Sequence, residues 1–433
     1  MINTKYRTPY STIHEIIDRI SKNNDDINTW LFSFENTMEL PLYSSVDIRD
    51  AGFKAAVVDT NLFPAGFNNL CEHGLSDSVE FIRSAILKRV QSCRNILIVA
   101  EEHTRNTWYL ENLRILKSII EQAGFSVKVA TFLQVQPAFC RNACYVRLTT
   151  ATGHPLDIYC FKTILSAYRN GEEQYDLIIL NNDLTTGIPD VLKESTIPIY
   201  PATQAGWHSR LKSYHFNHTE DLIKQFADIL DVDPWFFSCL FTSVDQININ
   251  DAADRQRLKD AADAVMARVQ IKYRQHSIQE KPYLFLKADS GTYGMAVLPM
   301  EDPKEILTLN RKDRNKLYKG KGSQVVGRYL IQEGVPTIYQ ADNEVSEVCI
   351  YQIENSLIGG FYRTHPVKNQ RQNLNSQGMY FKKMCPHVSR FNDCGVSHDI
   401  NVFDLYRILA RIAAIAAHRE IVQLKAGYTN SIK

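Results

Sequence analysis

The sequence predicts an α/β protein that turns α+β in its C-terminal half. Three observations carry this. Buried-strand and helix patterns alternate between Asn95 and Pro201, which implies crossovers and a parallel sheet. From Tyr283 onward the apolar runs come in pairs joined by short polar turns, the signature of antiparallel hairpins. Between these regions, Ala252 to Gln275 reads as one long helix that carries the boundary between the two architectures.

Along the chain, residues 12–21 form a first helix. Thr12 and Glu15 make a capping box, and Ile13, Ile16, Ile17 and Ile20 give an apolar face. After Val46 the sequence becomes loop-like, and the Pro-Ala-Gly and Asn-Asn content of Asp59–Leu70 argues against a regular element there. Asn95–Ala100 is a buried strand. A polar turn, Glu101–Asn106, leads into a helix through Leu110, Leu113, Leu116 and Ile120, ended by Gly124, and Val127–Phe132 is the next strand. Tyr175–Leu180 is another buried strand, opening into Asn181–Gly187, and Pro198–Pro201 follows a further short helix. Ligands of open parallel sheets sit beyond the carboxyl ends of strands, so both polar turns are candidate substrate loops. Thr219 is the expected N-cap of an amphipathic helix over Leu222–Leu230, and Val402–Leu424 reads as a core helix.

The chemistry concentrates further on. An apolar strand, Tyr283–Leu286, ends in Lys287; a small-residue loop with Ser290, Gly291, Thr292 and Gly294 follows, then a second strand over Met295–Leu298. Glycines let such a turn aim several backbone N–H groups at one anion, and the lysine adds a point charge, which suits a polyphosphate. The spacing is not that of a P-loop, and a strand follows the loop instead of a helix. Val325–Ile331 is strand-like and runs into a short polar-apolar hinge, Gln332-Glu333-Gly334-Val335, which resembles the place where ATP-grasp proteins offer backbone groups to adenine. Glu344–Arg363 is a hairpin with its turn at Glu354-Asn355-Ser356, and Asn373–Gly378 is a polar loop. Lysine loop, hinge, hairpin ending in arginine and Asn-containing loop occur in the order of an ATP-grasp fold.

These residues resemble the proteobacterial type of glutamate–cysteine ligase. The resemblance spans nearly the whole chain: Val58–Leu70, Ala205–Phe216, Lys287–Met295 and Asn373–Gly378. It implies a parallel-sheet pre-ATP-grasp domain followed by an ATP-grasp domain. The expected segments are 1–90 (helical and loop, with a substrate motif), 91–245 (parallel α/β) and 246–433 (nucleotide-binding and catalytic). It also implies ATP and Mg²⁺, with L-glutamate and L-cysteine as substrates. Lys287 and Arg363 are the expected catalytic residues. Lys287, Ser290, Gly291, Thr292, Gly294, Gln332, Glu333 and Val335 are expected to bind nucleotide. Asp59, Asn61, Asn68, Asn69, Arg210 and Lys212 are expected at the amino acids, and Glu347, Glu354, Asn375 and Asp399 at the metal. One departure is that the Glu-x-Asn pair common on a late ATP-grasp strand has no counterpart after Gly378; His398-Asp399-Ile400-Asn401 comes nearest. Two other readings stay open: a ligase for another amino-acid pair, and a nucleotide-binding regulatory protein without catalysis.

Composition sets the remaining bounds. With 433 residues, 44% apolar and 22% charged, the chain can hold two or three cored domains. A net charge of +1 gives no basis for a nucleic-acid partner, and Arg311–Lys321 reads as a solvated helix end. No run approaches the ~20 apolar residues of a membrane span, and Met1–Arg7 lacks a signal-peptide core, so a cytoplasmic protein is expected. Nine scattered cysteines with no CxxC, Cys140 and Cys144 being the only close pair, read as buried hydrophobes or free thiols; Cys394 sits in a polar loop.

Overall fold

The computed structural model describes residues 12–102, 105–133, 145–290, 296–318, 325–384 and 400–432. Helices α1 (Thr12–Lys22) and α2 (Asn24–Glu35) lead into β1 (Ser44–Asp50), β2 (Ala55–Asn61) and α3 (Glu72–Arg89). The α/β section follows: β3 (Asn95–Ala100), α4 (Thr107–Gln122), β4 (Ser126–Thr131), β5 (Tyr145–Thr149), β6 (Pro155–Cys160), α5 (Phe161–Arg169), β7 (Leu177–Asn181), α6 (Asp190–Lys193) and β8 (Ile199–Tyr200). Next come α7 (Lys212–Leu230), β9 (Phe241–Asp245), α8 (Ala252–Gln275), β10 (Leu284–Ala288), β11 (Val297–Met300), α9 (Arg311–Tyr318) and β12 (Arg328–Glu333). The chain closes with β13 (Gln340–Ala341), β14 (Glu344–Ile353), β15 (Ser356–His365), β16 (Tyr380–Met384) and a C-terminal helix, Ile400–Ile432.

The strands make three sheets. One runs β5-β6-β4-β3-β7-β8 and is parallel except for the edge strand β5. Its centre is apolar on both faces because both are covered. Ile96 and Ile98 of β3 pack with Leu110 and Leu113 of α4, while Leu97 and Val99 pack with Phe161 and Leu165 of α5. A second, antiparallel sheet runs β11-β10-β12-β9, and a third β16-β15-β14-β1-β2, with β13 paired to β14. The C-terminal helix places Leu405, Ile408, Leu409, Ile412 and Ile415 in one core with Val46 and Ile48 of β1, Val348 and Ile350 of β14, and the isoleucines of α1.

Two sequence expectations change here. The region after Val46 is not loop: β1 and β2 form there, and β1 lies between β14 and β2. Asp59 and Asn61 therefore stand on a strand, and only Phe67–Asn69 is a 3-10 turn. The Ala-Ala-Val-Val run supplies the strand, and the Pro-Ala-Gly turn signal acts only after it ends. Thr219 caps nothing. It lies inside α7, where its hydroxyl donates to the His215 carbonyl one turn back. Cys71, Cys93, Cys160, Cys239 and Cys349 are buried thiols outside any disulfide; Cys140, Cys144, Cys385 and Cys394 lie outside the described residues. Among the described residues no helix is long and apolar enough to cross a membrane.

Candidate active site

β10 alternates as a strand should. Leu284 and Leu286 enter the core, while Phe285 and Lys287 face the other way, with Phe285 opposite Gln332 of β12. Lys287 Nζ donates to Gln332 Oε1 at 2.6 Å and lies 3.5 Å from the Val58 carbonyl. Burial, only partly offset by nearby Asp59, pushes its ammonium down to about 8. After Gln332 the chain turns at Gly334, whose N–H donates to the Tyr283 carbonyl at 2.8 Å. A Cβ at Gly334 would come within 2.3–2.5 Å of the Tyr283 ring, so glycine is required for this close approach.

The third sheet supplies the opposite wall. Glu347 on β14 and Arg363 on β15 are register partners, and β1 carries Asp47 and Arg49 beside them. Arg363 donates to Glu347 at 2.6 Å and to both carboxylate oxygens of Asp47 at 2.8 and 3.2 Å. Arg49 Nε meets Glu347 Oε2 at 2.5 Å, and its other nitrogens donate to the Gln370 and Gln372 carbonyls. That fastens the loop carrying Asn373 and Asn375 to the wall. Burial opposes the charge on Glu347, but Arg49 and Arg363 outweigh it and hold the carboxyl below its ordinary range. On β2, Asp59 accepts from Lys212 Nζ at 2.6 Å. Burial again opposes ionisation, and Lys212, Lys287 and Arg210 together hold Asp59 low.

These groups enclose a cavity of about 70 Å³. Of the residues expected from sequence, Lys287, Gln332, Glu333, Val335, Glu347, Arg363, Asn375, Asp59 and Lys212 line it. The Glu333 carboxylate is engaged by Lys54 Nζ at 3.0 Å, the Trp235 indole N–H and the Leu240 N–H. Ser290 is exposed at the root of the glycine loop, while Gly291, Thr292, Gly294 and Asp399 lie outside the described residues.

The other expected site residues do not line this cavity. Arg210 is buried, pairs with Glu420 of the C-terminal helix at 2.9 Å and donates to the Thr60 carbonyl at 2.8 Å, so it braces the strand behind Asp59. Asn61 accepts from the Phe63 N–H, and Asn68 donates to Asn69. Glu354 is at the tip of the β14–β15 hairpin, bonded to Arg89 at 2.8 Å. Seven residues of strand separate it from Glu347, roughly 23 Å at the rise of a β-strand, so it is not part of the cavity. The polar turns after β3 and β7 are bonded to each other, the Asp183 N–H donating to Glu101 at 3.0 Å; beside them Asn181, the last residue of β7, donates to the Pro64 carbonyl, and Asn112 on α4 accepts from the Phe67 N–H, pinning the Pro64–Phe67 segment.

Sequence reasoning missed Asp47 and Arg49. Their signal was the alternation Ser45-Val46-Asp47-Ile48-Arg49, a period of two with polar residues on one face. Among the described residues no group of three acidic, His or Cys side chains converges as a metal cage. A magnesium ion needs only one or two carboxylates when phosphates complete its shell, and the cavity offers Asp47, Glu347 and the Asn375 amide.

A family model for glutamate-cysteine ligase matches residues 17–421. A solved structure of a candidate gamma-glutamylcysteine synthetase from Methylobacillus flagellatus KT is 30% identical, with a TM-score of 0.84 over 98% of this chain and 99% of that one. More distant are D-alanyl-alanine synthetase A from Vibrio cholerae O1 biovar eltor (11% identity, 74% of this chain and 99% of that one, TM-score 0.27) and a glutathione synthetase-like effector from Globodera pallida (12%, 86% and 80%, TM-score 0.32). Neither carries weight here. No curated protein sequence matches.

Proposed function

The chain belongs to the glutamate–cysteine ligase family, and we propose that the cavity between β10–β12 and β1–β14–β15 is its active site. The reaction joins the γ-carboxylate of L-glutamate to the amine of L-cysteine with cleavage of ATP. One observation carries the assignment of the site. Lys287, Gln332, Glu347, Arg363 and Asn375, from separate stretches of sequence, converge on one cavity together with Asp59 and Lys212.

A carboxylate resists attack by an amine because oxide is a poor leaving group. Phosphorylation by ATP gives an acyl phosphate with a good one, which must be aligned with the amine and shielded from water. In this reading Lys287 holds α- and β-phosphate oxygens at the root of the glycine loop, with N–H groups from Ser290 to Gly294 covering the rest. Gln332 to Val335 hold adenine. Arg363 faces the γ-phosphoryl group and stabilises charge that develops during transfer and then on the tetrahedral intermediate. Asp59 and Lys212 are the amino-acid contacts, a cation and an anion matched to the two ends of a zwitterion. Asp47, Glu347 and Asn375 are the residues that would hold Mg²⁺, which when bound neutralises phosphate charge. The two antiparallel sheets are read as an ATP-grasp domain (246–433, with β1, β2 and β9 added) and the parallel sheet, within 91–245, as the pre-ATP-grasp domain.

The test is release of ADP with glutamate, cysteine, ATP and Mg²⁺, for wild type and Lys287→Ala. Coupled turnover in the wild type and its collapse in the variant are expected. A wild-type ATP KM and kcat in Lys287→Ala would overturn the site.

A further inference from the structure

Helix α7 begins at Lys212, and its N-cap position is Leu211, which offers no side-chain hydrogen bond. The first amides of a helix need acceptors. Here they come from a distant segment. The Asp289 carbonyl accepts from the Lys212 N–H at 2.7 Å, and the Asp289 carboxylate accepts from the Ser213 N–H at 2.8 Å and the Ser213 hydroxyl at 2.6 Å. Arg328 Nε holds the second oxygen at 2.7 Å, and the Asp289 N–H donates to the Arg328 carbonyl. Asp289 is fully buried. It stands two residues after Lys287 and one before Ser290, immediately past the end of β10.

One residue therefore fixes both sides of the cavity. Its backbone continues the strand that carries Lys287, and its carboxylate sets the start of the helix whose first side chain, Lys212, reaches Asp59. We propose that Asp289 is a positioning residue, which holds Lys287 and Lys212 in fixed register so that donor and acceptor carboxylate align. This rests on the active-site reading above. An error of about 1 Å in such an alignment lowers turnover roughly 100-fold without weakening either ligand much.

The test uses Asp289→Asn and Ser213→Ala, alone and together, with saturation curves for ATP and glutamate and a melting curve for each. Asp289→Asn should lower kcat about 10- to 100-fold while both KM values move less than about threefold. Ser213→Ala, which keeps the N–H contact, should give a smaller loss of kcat of the same kind, and the double variant should be little worse than Asp289→Asn. A purely structural role predicts a lower Tm with unchanged kcat per folded molecule, and that result overturns the proposal. So does wild-type kcat in Ser213→Ala, which decides the matter if Asp289→Asn fails to fold. Lys287→Ala separates the two levels: if it is crippled while the Asp289 and Ser213 variants keep wild-type kcat, the site stands and only the positioning role falls.

Discussion

Glu347 and Arg363 stand directly opposite each other on β14 and β15, and the guanidinium that binds Glu347 at 2.6 Å also grips Asp47 on β1. One arginine thus links three strands of the sheet through two carboxylates. Arg363 Nε has no hydrogen-bond partner among the described residues, so the fork is not saturated.

Arg363→Lys keeps the charge and loses the fork. It should lower kcat about 100-fold or more, with a much smaller rise in KM, because the lost contacts matter most where charge develops. Arg363→Met should also destabilise the fold by about 3–5 kcal/mol, since it leaves Asp47 and Glu347 without their shared partner. Glu347 is held low by Arg49 and Arg363, so its contribution is present above its unfolded pKa and lost as pH falls through the folded value. Acid unfolding of Arg363→Met should therefore begin at higher pH than in the wild type. Equal melting curves at pH 4 and 7 for the two proteins would contradict this.

Lys287 has the opposite sign. Its pKa is depressed to about 8, so between that value and its unfolded value the unfolded chain binds more protons and stability rises with pH. At pH 7 the charged amine is a burden on the fold of up to about 3 kcal/mol. Lys287→Met should raise Tm at pH 7 while abolishing ATP use. In the wild type, kcat/KM for ATP should fall as pH rises through about 8, as the amine loses its proton. A flat profile from pH 7 to 9 would remove the lysine from phosphate binding.

The metal assignments divide cleanly. Asn375→Ala should raise the Mg²⁺ concentration needed for half-maximal rate by about 10-fold or more. Glu354→Ala should leave the Mg²⁺ titration unchanged and lower stability modestly, through loss of the Arg89 contact at the hairpin tip. Titrating Mg²⁺ at fixed ATP checks both.

Arg210→Met should behave as a scaffold mutant. Removing one member of the buried pair with Glu420 costs about 3–5 kcal/mol, so Tm should drop while the glutamate KM of the folded fraction changes little. A selective rise in glutamate KM at unchanged Tm would return Arg210 to the substrate site.

The acceptor provides a further check. A thiol is a weak hydrogen-bonder and a small, soft contact, so 2-aminobutyrate should replace cysteine as a working substrate. Serine should be poorer by roughly 10- to a few-hundred-fold, because a small apolar pocket rejects an added polar atom weakly. Aspartate in place of glutamate should lose about 100-fold by misplacing the reacting carboxylate. Phosphate release for each pair measures this.

Local chemistry made Lys287, the hinge at Gln332 and the β14–β15 hairpin readable, since each depends on a few consecutive residues. Asp47 and Arg49 were hidden because β1 gains its meaning only from β14, far along the chain. Arg210 looked like a carboxylate-binding arginine because its true partner, Glu420, lies 210 residues away. Glu354 is set apart from the cavity for the converse reason. Sequence proximity to Glu347 suggested a shared role, while strand geometry sends the two to opposite ends of a hairpin.

The place of β1 between β14 and β2 has a consequence for synthesis. Ser44 on β1 accepts from Gln352 on β14 across 308 residues of chain. At translation rates of about 5–20 residues per second, β1 and β2 wait roughly 15–60 s on the ribosome before their central neighbour is made. The parallel sheet from β3 to β8 has all of its strands in hand long before that. The nascent chain therefore carries an uncovered strand edge beside an already completed unit, a species prone to aggregate that chaperones would have to guard.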